Sequence, residues 1–211
     1  MIVAGLTAII LVASLTFFYF ETQLGSGVRP PIRVACVGDS LTSDTEYPNI
    51  TGELLGSNYT VANFGVGRTT VSLQFDKPYL NQTEVQYSRK FEPNIVVIML
   101  GTNDAYLSQQ ERRNFISDYK TLVDVFQAFS SKPKIFIVVP PPVFSNNLGL
   151  NDTILEKMVI PLIKQTANDL NLPLIDAHTP LVNHPEDFQD GIHPNILGSE
   201  IIAFQIFEAI T

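Results

Sequence analysis

Four short segments carry residues whose types and spacing could do acyl-transfer chemistry. Gly38-Asp39-Ser40-Leu41-Thr42 offers a hydroxyl two residues after a glycine. A serine there is a nucleophile if a base takes its proton, or an N-cap, the ordinary role of Asp and Ser at such a boundary. Asn63-Phe64-Gly65-Val66-Gly67-Arg68 has two glycines close together, which either let backbone N–H groups approach a ligand or make a turn. Gly101-Thr102-Asn103-Asp104 supplies an amide that can donate to a developing oxyanion without titrating, although Asn and Asp also make turns. Asp190-Gly191-Ile192-His193-Pro194 places a carboxylate three residues from an imidazole. On one loop the Asp could hold the ring in the tautomer that leaves its other nitrogen free to accept a serine proton. The same pair also fits a structural ion pair.

The elements that must position these segments are strands. Ile32–Val37 is a short apolar run with β-branched residues, ending at Gly38. Asn58–Phe64, Asn94–Leu100, Lys134–Val139 and Leu172–Ile175 read similarly, as buried strands. Helical patterns fill the gaps. Ser108–Phe129 presents one apolar face through Phe115, Tyr119, Leu122, Val123 and Phe126, with Ser108 and Glu111 as a capping box. Asp152–Leu170 is helical, with Pro161 expected to kink or divide it. Pro194–Ile210 closes the chain, with Pro194 suited to its first turn and Ile196, Leu197, Ile201, Ile202, Phe204 and Ile206 available for burial. Strands alternating with such helices imply a parallel sheet covered on both faces. In that architecture a site is expected beyond the carboxyl ends of the strands, and three of the four segments follow strands. The fourth opens the last helix.

These blocks, in this order and with this spacing over residues 32–210, resemble those of the SGNH (GDSL-like) hydrolases. The resemblance implies a flavodoxin-like three-layer α/β/α sandwich with a parallel five-stranded sheet. It further implies that Ser40 attacks an ester carbonyl, that His193 is general base and then acid, and that Asp190 orients His193. The oxyanion hole would be the N–H groups of Ser40 and Gly65 with the Asn103 amide. No metal or organic cofactor is implied. Asp76-Lys77-Pro78-Tyr79 and Pro140-Pro141-Pro142-Val143-Phe144 are similar to the small carbohydrate O-acetylesterase branch. By contrast, the Gly-x-Ser-x-Gly signature of α/β-hydrolases is absent around Ser40. Arg68 and Asp104 stand where they could contact substrate, although a salt bridge would equally account for Arg68. Asp39 reads as structural, bonding nearby backbone. His178 after Asp176 mimics an Asp/His pair but matches the family less well than His193, and His184 reads as a loop residue.

Composition narrows the partners. The 211-residue chain has a formal net charge of −8, which excludes nucleic acid, whose phosphates require clustered Lys and Arg. It also fits neutral glycans better than acidic ones. The single cysteine, Cys36, lies in an apolar run and reads as a small buried hydrophobe. Residues 1–22 are expected to form a hydrophobic helix, a signal anchor or a signal peptide, because about twenty apolar residues can span a bilayer. Residues 23–31 read as a linker and residues 32–211 as the hydrolase domain. The expected location is extracytoplasmic, membrane-anchored or secreted, and Asn-x-Thr sites at Asn49, Asn58, Asn81 and Asn151 agree with it. The expected function is hydrolysis of acetyl esters on a carbohydrate. Other readings are a lysophospholipase or thioesterase of the same fold, a tethered glycan-binding module without turnover, or a flavin- or nucleotide-binding flavodoxin relative. The last lacks the Gly-rich phosphate cradle expected of it.

Overall fold

The computed structural model describes residues 30–211. The expected anchor or signal helix at 1–22, and nearly all of the linker, lie outside the described residues.

Five parallel strands form one sheet: β1 (Ile32–Gly38), β2 (Tyr59–Gly65), β3 (Ile95–Met99), β4 (Lys134–Val139) and β5 (Leu174–Asp176), in the order β2-β1-β3-β4-β5. Among the described residues seven α-helices accompany them: α1 (Ser40–Ser43), α2 (Tyr47–Leu55), α3 (Glu84–Phe91), α4 (Phe115–Gln127), α5 (Asp152–Ile154), α6 (Ile160–Asp169) and α7 (Ile196–Ile210). α2 packs against α7, and α4 against α6. Right-handed crossovers from β1 to β2 and from β2 through β5 run in opposite directions along the sheet, so these pairs cover opposite faces. The expected three-layer α/β/α sandwich is therefore present. The central strands are buried on both sides, which is why β1, β3 and β4 read as nearly unbroken Val, Ile and Ala rather than as alternating sequence.

Several local expectations need correction. The Ser108–Glu111 capping box forms, with the Ser108 N–H donating to Glu111 Oε2 at 2.7 Å and the Glu111 N–H to Ser108 Oγ at 3.3 Å. What it opens is a 3-10 turn, Glu111–Asn114, and α4 begins only at Phe115. The 152–170 stretch is divided at Pro161, one of the two expected outcomes. A π turn, Leu155–Val159, precedes it, so that Pro161 stands in the first turn of α6, where no backbone donor is needed. Pro194 lies outside α7, whose N-cap is Asn195; the Asn195 Oδ1 accepts the Gly198 N–H at 3.1 Å. α7 buries Ile202, Ala203 and Ile206, while Ile196, Leu197 and Phe204 remain exposed. A helix apolar on nearly every side does not reveal in sequence which stripe meets the sheet.

β1 connects toward one edge of the sheet and β3 toward the other. The crevice where the strand order reverses therefore opens above the carboxyl ends of β1 and β3.

Candidate active site

The two readings of the first segment fall on neighbouring residues. Asp39 is the N-cap: its Oδ1 accepts the Leu41 N–H at 2.9 Å. Ser40 is then the first residue of α1 and is left at the rim of the crevice. The turn depends on Gly38, where a Cβ would lie 2.0 Å from Thr42 Oγ1 and 2.6 Å from the Met99 carbonyl oxygen.

Ser40 meets the last segment. Its Oγ is 2.8 Å from His193 Nε2, and His193 Nδ1 is 2.7 Å from Asp190 Oδ2. The other carboxylate oxygen of Asp190 accepts the N–H groups of Ile192 and His193, at 2.9 and 2.7 Å. One carboxylate thus fixes both the loop and the ring. Burial alone would push the Asp190 carboxyl up, but the donors of His193 and Ile192 outweigh it and hold the group below the usual carboxylate range. The loop is moored in turn to the exit of β4, where the Phe144 N–H donates to the Gly191 carbonyl at 2.7 Å.

The second segment requires a correction. The Gly65 N–H is already donated to Asn63 Oδ1 at 2.8 Å. Gly65 is instead a packing residue, because a Cβ there would lie 2.3 Å from the Ser43 backbone nitrogen. Gly67 is the glycine that faces Ser40: it lines the same cavity, and a Cβ placed on it would lie 3.8 Å from Ser40 Cβ. The Gly67 N–H meets no acceptor among the described residues.

Asn103 also lines the cavity. Its amide donates to the Thr69 carbonyl at 3.0 Å and, at the longer distance of 3.3 Å, to Asp39 Oδ2. Asp39 is fully buried, and desolvation lifts its carboxyl to about 7, against the opposing pull of the Leu41 N–H; neighbouring Asp104 raises it further and His193 lowers it. Asp104, expected as a possible substrate contact, has no surface with which to make one. Its two oxygens accept the Val71 and Ser72 N–H groups at 2.9 and 3.0 Å, and it holds the chain after the second segment in place.

The cavity encloses about 860 Å³ between Ser40, Asp44, Gly67, Arg68, Phe75, Lys77, Asn103, Tyr106, Leu148 and His193, among others. Arg68 is exposed there, with a left-handed backbone (φ 67°) and no ion pair among the described residues, so the salt-bridge reading does not hold. Gly67 and Lys77 lay within quoted segments, but spacing alone could not assign them. Tyr106 and Leu148 carried no signal. The Tyr106 hydroxyl donates to the Leu148 carbonyl at 2.9 Å and joins two loops across the rim. The second of these loops is tied internally by Asn146. Its amide donates to the carbonyls of Phe144 and Leu150 at 2.8 and 2.9 Å, and its Oδ1 accepts the N–H groups of Leu148 and Leu150 at 3.0 and 3.2 Å.

The remaining histidines lie elsewhere. The His178 ring is buried, with Nδ1 3.2 Å from the Pro140 carbonyl, while Asp176 binds the backbone of His178 and Thr179 rather than an imidazole. His184 sits with Glu186 and Asp187, whose carboxylates come to 3.2 and 3.7 Å of Nδ1. Hydrogen bonding among partly exposed side chains accounts for that cluster.

Residues 36–201 match the GDSL-like lipase/acylhydrolase family. The chain belongs to this family. It is 31% identical over 206 residues to an acetylxylan esterase of Xylanibacter ruminicola, an alignment covering 85% of this chain and 43% of the relative. The chain thus spans less than half the length of that protein. Among solved structures it is similar to an acetyl xylan esterase (TM-score 0.67, 23% identity, 85% of this chain and 100% of the other). It is also similar to the aryl esterase of M. smegmatis (TM-score 0.66, 20% identity, 85% and 98%). These two likenesses establish the shared fold, and the family's chemistry is hydrolysis of carboxylic esters.

Proposed function

We propose that this GDSL-family chain is a serine esterase that removes acetyl groups from a carbohydrate. The observation that carries the reading is the continuous chain from Ser40 Oγ through His193 Nε2 and Nδ1 to Asp190 Oδ2, with contacts of 2.8 and 2.7 Å. With its Nδ1 proton held by Asp190, the imidazole presents the Nε2 lone pair to the serine. Ser40 Oγ attacks the ester carbonyl carbon as its proton passes to Nε2. The tetrahedral intermediate collapses when that proton is handed to the departing sugar oxygen, leaving an acetyl-serine. Water, deprotonated by the same nitrogen, then attacks the acetyl carbonyl, and acetate leaves as Ser40 regains its proton.

The negative charge that develops on the carbonyl oxygen calls for donors already aimed at it. The N–H groups of Ser40 and Gly67 and the Asn103 amide fill that role. The Asn103 hydrogen in the longer contact, to Asp39, is the one the oxyanion takes. Preference for an acetyl group over a long acyl chain, and for a sugar as alcohol, is supported by the similarity to an acetylxylan esterase. An open cavity of about 860 Å³, walled by Phe75, Tyr106 and Leu148, suits a sugar ring with apolar faces. Arg68 contacts the sugar hydroxyls. Residues 1–22 serve as signal anchor or signal peptide and bring the domain to extracytoplasmic glycans. Asn49, Asn58, Asn81 and Asn151, all exposed, leave that route open.

Hydrolysis of p-nitrophenyl acetate by the wild type but not by Ser40→Ala, followed by acetate release from acetylated xylo-oligosaccharides, tests the proposal. Turnover of long-chain esters alone would move it to a lysophospholipase or thioesterase. A folded protein that turns over no activated ester would be a binding module.

A further inference from the structure

We infer that Lys77 is a positioning residue of the oxyanion site, holding the Gly67 loop and placing an ammonium charge behind it. The inference rests on the esterase reading above.

The observations begin at Gly67. With no side chain, it has the widest conformational freedom in its loop, so the direction of its N–H depends on what grips the neighbouring peptides. The loop is held on one side by Thr69, whose hydroxyl donates to the Val66 carbonyl at 2.8 Å. On the other side stands the segment Lys77-Pro78-Tyr79. The Thr70 N–H donates to the Lys77 carbonyl at 3.1 Å and the Tyr79 N–H to the Thr70 carbonyl at 2.9 Å, a parallel bridge between Thr70 and Pro78. The buried Tyr79 donates its hydroxyl to the Phe64 carbonyl at 2.6 Å. These contacts fix both ends of the loop. The Lys77 Nζ closes the middle, donating to the Gly67 carbonyl itself at 2.8 Å.

That bond restrains the torsion between the Gly67 N–H and its own carbonyl, so the donor stays aimed at the cavity without reorganising when charge appears. The ammonium meets no carboxylate within ion-pair distance among the described residues. It is half-buried and lines the same cavity as Ser40, Asn103 and His193. Its charge therefore adds to the stabilisation of an anion forming above Ser40, and partial exclusion from water keeps it from being fully screened. A neutral ground-state ester gains little from it. Differential stabilisation of this kind lowers the barrier and leaves substrate affinity nearly unchanged.

The test compares wild type, Lys77→Met and Lys77→Arg with p-nitrophenyl acetate, together with thermal melting and the affinity for phenylboronic acid, which mimics the tetrahedral anion on a serine. Removing a direct oxyanion donor costs about 10²–10³ in kcat; Lys77, one bond further back, is expected to cost roughly 10-fold, with KM changed by less than about 2-fold. The boronate should weaken by a similar factor, and Lys77→Arg, which keeps charge and donor, should recover most of the rate. Unchanged kcat in Lys77→Met would overturn the inference. So would a raised KM at constant kcat, which would make Lys77 a substrate contact, or a rate loss that merely follows a lower melting temperature. If the wild type itself hydrolysed nothing, the esterase reading would fall first.

Discussion

Ser40 Oγ and His193 Nε2 lie 2.8 Å apart although 153 positions separate the residues in sequence. The contact joins the first turn after β1 to the loop before α7. If it carries the reaction, Ser40→Ala should lose about 10⁶-fold in kcat. Asp190→Asn should lose roughly 10³- to 10⁴-fold, because an amide can present the wrong group to Nδ1. Ser40 supports no packing that alanine would lose, so its variant should melt within a degree or two of wild type. A fluorophosphonate should add one covalent group to the wild type and none to Ser40→Ala, which mass spectrometry would read directly.

The two glycines of the second segment should respond oppositely. Gly65→Ala drives a methyl to 2.3 Å from the Ser43 backbone nitrogen. It should destabilise by about 1–3 kcal/mol, or roughly 2–12 °C in melting temperature. Gly67→Ala places its methyl at ordinary contact distance, 3.8 Å from the nearest atoms. It should fold normally and change the kinetics instead. Equal stability for both variants would contradict the packing role of Gly65.

That pair shows where sequence reasoning stopped. The strands were legible, because a buried parallel sheet demands apolar β-branched runs and its crevice collects polar residues at their ends. The partnership of Ser40, Asp190 and His193 was legible only through the family resemblance, since each motif alone also fits a cap or an ion pair. Choosing between Gly65 and Gly67 was not, since both lie in one motif and only the approach of α1 to β2 separates them. Asp104 misled for a related reason. A carboxylate beside a candidate oxyanion donor looks available for substrate, and nothing local reveals that Val71 and Ser72 will turn their N–H groups onto it. The rim formed by Tyr106 and Leu148 rests on a contact between loops 42 positions apart, with no motif in either.

Asp39 makes stability depend on pH. Its carboxyl, lifted by burial from 3.8 to about 7, keeps a proton in the folded protein that the unfolded chain releases. Its contribution is therefore complete below pH 3.8 and is lost as pH rises through about 7. Asp104, lifted to about 6, acts in the same direction. Asp39→Asn keeps an oxygen for the Leu41 N–H but no longer ionises. In urea titrations at pH 5 and pH 8, the stability of Asp39→Asn relative to wild type should rise with pH. A constant difference would show that Asp39 does not titrate in this window.

Cys36 should be inert while the protein is folded. It is fully buried in β1, and desolvation pushes its thiol up to about 12, so almost no thiolate exists at neutral pH. Iodoacetamide should leave esterase activity intact and alkylate Cys36 only in denaturant. Inactivation of the native protein would mean that β1 opens far more readily than its burial allows.

The fourfold hydrogen bonding of Asn146 has a consequence for how such an enzyme diversifies. Beyond Phe144, whose N–H moors the loop of Asp190 and His193 through the Gly191 carbonyl, the stretch to Leu150 holds its own shape and reaches the opposite rim through the Tyr106 hydroxyl. It behaves as a cassette. A different cassette of similar span, grafted between the same two ends, would reshape the mouth of the cavity while the sheet beneath remained indifferent. Selection for a new ester can then act on one short exchangeable piece, without renegotiating the interior that aligns Ser40 with His193.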